Sequence, residues 1–538
     1  MNGYVVKLRG LGRLRGSIEK NVDGGSYVSF KGVPYARPPV GDLRFSDPLP
    51  PLSWTGIREA VNFGNSCGQF DVATRKIIGG DDCLYLNIYA PLPEEGSPRR
   101  SDLPVMVWIH GGGFVMGSGD NFLFGPDYLV KKNVIVVSIN YRLGVLGFLN
   151  LEHKVAPGNQ GLKDQIMALR WIREHVESFG GEKSNVTIFG ESAGAASVHY
   201  LTLSPLAQGL FHKAIAQSSN GFCPWASKLS NPKRDAMRLL EYLKINSTNE
   251  REIVDRLKTV ECSKLIEAQT KIQTPQEKIS SVWLFGPGND DAADVPFLPK
   301  FSESIKNGVV KVPLILGYNN GEGIIFSKTL NSKSCEAMNK DFEYLVHPKI
   351  SDDMKRGRGI TAADLKLAYF GDGPLHPERS MRNFVNFMSD MQFTNAIYEL
   401  AKRQAKKSRE KTWLYRFSFD KGMSFLKLVL NATHIPGACH ADELAYLFYP
   451  HGLVDLGFLP PEKGSKERIL IERITGMWTD FAKTGNPTPG ESEFVKINWE
   501  PIKSVDELNC MEIDEELGTS INPDSERLLI WNRLPNKL

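Results

Sequence analysis

Seven cysteines in 538 residues are too few for a disulfide scaffold, and the odd number leaves at least one thiol unpaired in any scheme. Such usage fits a reducing compartment. Long apolar runs are missing too: Val105 to Ile109, Val134 to Val137 and Val312 to Leu316 are strand-sized, far short of the roughly 20 residues needed to cross a bilayer. No membrane span is expected. Charge of one sign is not in excess, since 65 Lys and Arg face 62 acids for a net +3, which argues against nucleic-acid binding driven by bulk charge. The N-terminus, MNGYVVKLRGLGRLRGS, has no apolar stretch behind its basic residues and no small-residue cleavage site, so the protein is expected to be cytoplasmic. The C-terminal PNKL is no ER-retention signal and only faintly resembles the peroxisomal S-K-L. No Pro/Gly/Ser-rich linker and no internal repeat divides the chain, and residues 1–538 are read as one domain.

What the chain does contain is alternation of short β-rich runs with amphipathic segments. LPVMVWIH, NVIVVSINYR and NVTIFG are nearly continuous apolar runs, as strands buried on both faces require. Between the last two lies GLKDQIMALRWIREHVESFGG, where Leu162, Ile166, Leu169, Trp171, Ile172 and Val176 recur near helical spacing before a Gly pair. Strand, helix, strand predicts an α/β fold with a mainly parallel sheet and helices on both faces. In the second half, helices are expected over Lys233 to Leu243, Arg251 to Val260 and Met388 to Lys406.

Chemistry concentrates in NVTIFGESAGAASVHY, which sets Gly190-Glu191-Ser192-Ala193-Gly194 between a buried strand and a helix rich in small residues. That is the context of a nucleophile elbow, in which a sharp strand-to-helix turn lifts a serine above the sheet and only glycine fits two residues to either side. The helix N-terminus adds backbone N–H groups and a positive dipole end. His110-Gly111-Gly112-Gly113-Phe114 follows the strand LPVMVWI, and its glycines let backbone N–H groups approach a substrate oxygen. A phosphate loop is excluded, because GGGFVMG does not fit G-x-G-x-x-G and no G-K pair exists for a Walker A motif.

With these motifs on the page, the chain resembles a type-B carboxylesterase of the α/β-hydrolase fold, the group that includes the cholinesterases. The likeness runs from FKGVPYARPPVGDLRF through DDCLYLNIYAP, YRLGVLGFL, FGESAGAAS and CPWA to GACHADEL and WTDFAKTGNP, and is greatest toward the intracellular α-esterases of insects. The resemblance implies a triad in chain order of Ser192, Glu322 (in LGYNNGEGIIF) and His440 (in GACHADEL), with an oxyanion hole from Gly112, Gly113 and Ala193. Of the ten histidines, only His440 has the required order and local pattern; His199 and His212 are read as packing residues on helices. Trp225, Phe114, Trp283 and Phe326 are either walls of the substrate pocket or plain core aromatics. Arg44 with Asp81 and Arg142 with Asp164 resemble the family's structural ion pairs. Cys67 and Cys83 match one family disulfide, closing a loop of about 16 residues, and are expected to be reduced in a cytosol.

The loop GQFDVATRKIIGGDD has no tryptophan for cation–π capture of a quaternary ammonium, which argues against a cholinesterase. FGPGNDD and Gln217-Ser218-Ser219 also depart from the usual FGPxxEP and Q-S-G, near where the resemblance places the acyl side. The reading is a serine carboxylesterase for neutral hydrophobic esters, without metal or organic cofactor, acting in xenobiotic, insecticide or lipid-ester metabolism. Its rivals are a non-catalytic adhesion module, disfavoured because every triad position is filled, and a stoichiometric sink for organophosphate-like compounds.

Overall fold

The computed structural model describes residues 3–72, 74–92, 101–228, 231–357 and 359–533; residues 1–2 and the PNKL tetrapeptide, on which the targeting readings partly rest, lie outside them. One edge is antiparallel, with β1 (Tyr4–Leu8), β2 (Gly12–Lys20) and β3 (Ser26–Pro34) in succession and β4 (Ile57–Glu59) beside β2. β5 (Gln69–Asp71) and β6 (Lys76–Ile78) form a separate hairpin, and β7 (Tyr85–Pro91) continues the sheet. β8 (Leu103–Ile109) and β9 (Ile135–Ile139) begin its parallel part, before a small hairpin of β10 (Asn150–His153) and β11 (Ala156–Pro157). β12 (Gly181–Glu191), β13 (Lys213–Gln217), β14 (Leu314–Asn319), β15 (Thr412–Phe417) and β16 (Asn509–Ile513) complete it, and β17 (Leu517–Ile521) closes the far edge antiparallel to β16. The parallel order is β9-β8-β12-β13-β14-β15-β16.

Every residue of β8, β9 and β14 is buried, the pattern expected of strands covered on both faces. Side chains alternate between two cores: Val105, Val107 and Ile109 enter one, Met106 and Trp108 the other. Trp108 sits among Phe124, Phe189 and Phe448 at centroid distances of 5.1, 4.9 and 4.8 Å. Burying each such aliphatic or aromatic side chain contributes about 1.5–3 kcal/mol, so the central strands are fixed by what they cover. The parallel strands all point their C-terminal ends at one edge, where β8 runs into His110, β12 into Ser192 and β14 into Glu322.

The amphipathic helix spans Gln160–His175, and a short 3₁₀ turn then stops at Gly180 with φ +91°. Helices Pro232–Tyr242 and Glu250–Thr259 lie within a residue of their expected limits. The third differs: it starts at Met381, passes through a π turn at Asp390–Thr394 and resumes over Asn395–Lys407. His199 is on the helix Ala193–Leu203, but His212 is not helical; it precedes β13, and its Nδ1 accepts the Val186 N–H at 3.2 Å.

Both expected ion pairs form. Arg142 grips Asp164 through two nitrogens at 2.8 and 2.7 Å, and Arg44 reaches Asp81 at 2.5 Å while donating to Lys258 O and Val260 O at the end of a helix. The thiol expectation is corrected, because Cys67 and Cys83 are joined in a disulfide. Backbone bonds close the same loop independently, Gly68 N–H to Gly80 O at 3.0 Å and Gly80 N–H to Ser66 O at 3.1 Å. Reduction should therefore cost no more than about 3 kcal/mol and leave the near-ultraviolet circular dichroism of the folded protein intact; collapse of that signal under mild dithiothreitol would make the bridge indispensable.

Candidate active site

Ser192 follows β12 with φ +56° and ψ −124°, outside the regions L-residues ordinarily occupy, and caps the helix Ala193–Leu203. The turn closes only because its flanking residues lack side chains. A Cβ on Gly190 would stand 2.6 Å from both Gly194 C and Ile109 O, and one on Gly194 would overlap Ile109 O. From below, Gln217 O accepts the Ser192 N–H at 2.9 Å. Ser192 Oγ carries no hydrogen bond among the described residues, and the residue is 8% exposed, leaving an accessible hydroxyl on a rigid mount.

The glycine loop after β8 lies against this elbow. A Cβ on Gly111 would be 3.0 Å from Ser192 Cβ and 2.8 Å from Glu191 Oε2. Gly112 and Gly113 have φ +102° and +61°, and the Gly112 carbonyl turns inward to accept the N–H groups of Val115 and Met116 at 3.1 Å. Among the described residues, the N–H groups of Gly112, Gly113 and Ala193 meet no acceptor within the protein.

Glu322 and His440 meet across 118 positions of sequence. Glu322 opens the 3₁₀ turn after β14; its Oε1 accepts the Asn319 N–H at 2.8 Å and its Oε2 lies 2.5 Å from His440 Nδ1. Gly321 and Gly323 serve close packing rather than a left-handed turn: a Cβ on Gly321 would be 2.8 Å from Ala438 O, and one on Gly323 would overlap Val385 O. His440 sits in a loop pinned by Asn319 Nδ2 to Cys439 O at 2.7 Å and by the Ala438 N–H to Asn320 Oδ1 at 2.7 Å. Its Nε2 faces Glu191 Oε1 at 2.9 Å, in an orientation that closes no hydrogen bond to that oxygen. Burial opposes charge on the ring, but Glu191 and then Glu322 outweigh it and hold the imidazole well above its ordinary pKa. Behind it Glu443 is pushed up to about 8 by burial and the same two carboxylates; it accepts from Asn319 Nδ2 at 2.7 Å and Gln217 Nε2 at 3.0 Å.

Three of the four expected wall residues group near this constellation. Trp283 lies over the oxyanion loop, with its indole 2.9 Å from where a Gly113 Cβ would stand. Trp225 donates Nε1–H to Gln392 O at 3.0 Å, and its ring is 5.9 Å from that of Phe393, on which Phe326 stacks at 6.2 Å. Phe114 instead turns inward, 1% exposed and edge-on to Phe148 at 5.5 Å. Phe393 itself escaped the sequence reading, yet its ring is 4.7 Å from the His440 ring. It sits in the π turn, a one-turn irregularity that no periodicity announces. Among the described residues no group of three or more His, Cys, Asp or Glu could hold a metal ion, and no helix is long and apolar enough to cross a membrane.

The carboxylesterase family model matches residues 2–531. The chain belongs to the carboxylesterase family. It is 34% identical to a juvenile hormone esterase of Tribolium castaneum over 97% of this chain and 91% of that one, and 35% identical to esterase FE4 of Myzus persicae over 91% and 86%. The juvenile hormone esterase from Manduca sexta, solved with OTFP covalently attached, superposes with a TM-score of 0.84 at 28% identity, covering 99% of each chain. PNB esterase gives 0.75 at 30%, covering 98% and 99%. The fold is accordingly that of the α/β-hydrolase esterases, and this carboxylesterase is a carboxylic-ester hydrolase acting on small-molecule esters.

A family esterase with a proton held this firmly on His440 should lose kcat/KM as pH falls, with the acid limb above the ordinary imidazole value. Glu191→Gln removes the carboxylate that most favours the charged ring, so the limb should move to lower pH; a pH profile unchanged by this substitution would show that Glu191 does not set the imidazole's charge.

Proposed function

We propose that this carboxylesterase hydrolyses neutral, hydrophobic carboxylic esters through an acyl-enzyme on Ser192. The observation that carries the reading is His440, fixed at Nδ1 by Glu322 and presented at Nε2 to the elbow that bears Ser192. His440 takes the Ser192 proton as Oγ attacks the ester carbonyl, and the N–H groups of Gly112, Gly113 and Ala193 receive the oxyanion. Glu322 keeps the ring in the tautomer with its proton on Nδ1 and stabilises the imidazolium. His440 then protonates the leaving alcohol, and water activated by the same ring releases the acid. Trp225, Trp283 and Phe326 form the apolar side, which supports esters without charge near the scissile bond. We further read residues 1–538 as one working domain in the cytoplasm, with a role in xenobiotic, insecticide or lipid-ester turnover; hydrolysis should survive mild dithiothreitol, because backbone bonds hold the Cys67–Cys83 loop.

Ser192→Ala should abolish hydrolysis of p-nitrophenyl esters and fluorophosphonate labelling without changing Tm. Glu322→Gln and His440→Ala should each lower kcat by orders of magnitude, since such groups act as a unit. Labelling that persists in the serine variant would refute the mechanism. A burst of one product per enzyme followed by almost no turnover would mark a stoichiometric sink instead.

Trp225→Leu should admit bulkier or branched acyl groups while costing up to about 3–5 kcal/mol of stability. An unchanged ranking of butyrate, pivalate and longer esters would return Trp225 to the core.

A further inference from the structure

One side chain outside the triad is joined to the oxyanion loop by two hydrogen bonds. Gln69, the first residue of β5, is 5% exposed, and its amide pairs with the Gly117 peptide as one strand pairs with another. Oε1 accepts the Gly117 N–H at 2.7 Å, while Nε2 donates to Gly117 O at 2.9 Å and to Cys67 O at 3.0 Å. Gly117 has φ +112°, and a Cβ there would overlap the His110 ring and stand 2.7 Å from Gly111 O. Its peptide thus rests on the residues that lead into Gly112 and Gly113.

The loop has other ties at its root, in its middle and just past Gly117, where the Gly119 N–H donates to Asn140 Oδ1 at 2.8 Å and Asn87 Nδ2 donates to Gly119 O at 2.9 Å. Tyr141 Oη donates to His110 O at 3.0 Å, and the Gly144 N–H donates to Phe114 O at 2.7 Å. Gln69 holds Gly117 between the middle tie and the Gly119 tie, and is held in turn by pairing with Ile78 and by the Gly68 to Gly80 bond. Neither mount lies in the elements that carry Ser192, Glu322 or His440.

We propose that Gln69 is a positioning residue for ester hydrolysis, clasping the Gly117 peptide so that the Gly112 and Gly113 N–H groups stay aimed at the oxyanion. It touches no substrate and acts through the loop. This rests on the reading that these N–H groups form the oxyanion hole. Donors of this kind are effective because they need no reorganisation when charge develops, and losing one outright costs about 10²–10³ in kcat. Freeing the Gly117 peptide should misalign them only in part.

Gln69→Met keeps the length and volume of the side chain and removes all three hydrogen bonds, two to Gly117 and one to Cys67 O; Gln69→Glu keeps an acceptor for the Gly117 N–H and loses the donor. With active sites counted by fluorophosphonate titration, we expect kcat on p-nitrophenyl butyrate to fall on the order of 10- to 100-fold in the Met variant, with KM within about twofold. Glu, which sets a carboxylate oxygen against Gly117 O and Cys67 O, should fall at least as far. Affinity for a trifluoromethyl ketone, which forms a hemiketal oxyanion on the serine, should weaken in proportion to kcat/KM across the series. Should the Met variant fail to fold, the Glu variant carries the same comparison. A lower Tm with kcat per titrated site and ketone affinity unchanged would overturn the proposal and leave Gln69 a purely structural residue. Absence of ester hydrolysis in the unsubstituted enzyme would instead refute the function proposed above, which separates the two failures.

Discussion

The whole site depends on a backbone that turns where it should not. Ser192 holds a conformation that costs on the order of 1–3 kcal/mol, and the strand and helix on either side over-determine it. β12 is fixed by pairing with β8 and β13, and the following helix is pressed so close that Gly194 meets Ile109 O. The strain is therefore stored where strand and helix are pressed together. Loosening the sheet would let the serine relax into an ordinary helical start and withdraw its hydroxyl.

Around the serine the electrostatics are unusually acidic for so buried a place. Glu191 and Glu322 face His440, Asp442 and Glu443 are buried close by in the chain, and full ionisation of all four would be costly without compensating cations. The structure divides the load. Burial pushes Asp442 up to about 7 and Glu443 to about 8, while buried Lys427 stands near Asp442 and donates to Ile435 O at 3.0 Å. Both shifts disfavour charge on Asp442 and Glu443.

How much of this was legible in the sequence follows from which forces are local. The apolar runs of β8, β9 and β12, the helix at Gln160–His175 and the glycines flanking Ser192 obey rules confined to a few neighbouring residues. Glu322 and His440 could be singled out only through family motifs, since nothing local distinguishes them. Phe393 and Gln69 left no trace, because one owes its position to a π turn and the other to a contact across 48 residues. Gly321 and Gly323 take no left-handed conformation; their task is to let main chains approach. His212 and the Cys67–Cys83 bridge show the same limit, since each depends on a partner distant in sequence or on redox chemistry that composition only suggests.

The π turn also bears on how such a pocket can diversify. Trp225 is held by the main-chain carbonyl of residue 392, not by its side chain, while the adjacent side chain at 393 lines the imidazole. Replacing residue 392 leaves the indole's acceptor in place, and replacing residue 393 changes what packs on the imidazole without releasing the indole. Anchoring and shape are thus encoded at separate positions, so drift in substrate preference can proceed through single substitutions that never require the wall to be rebuilt.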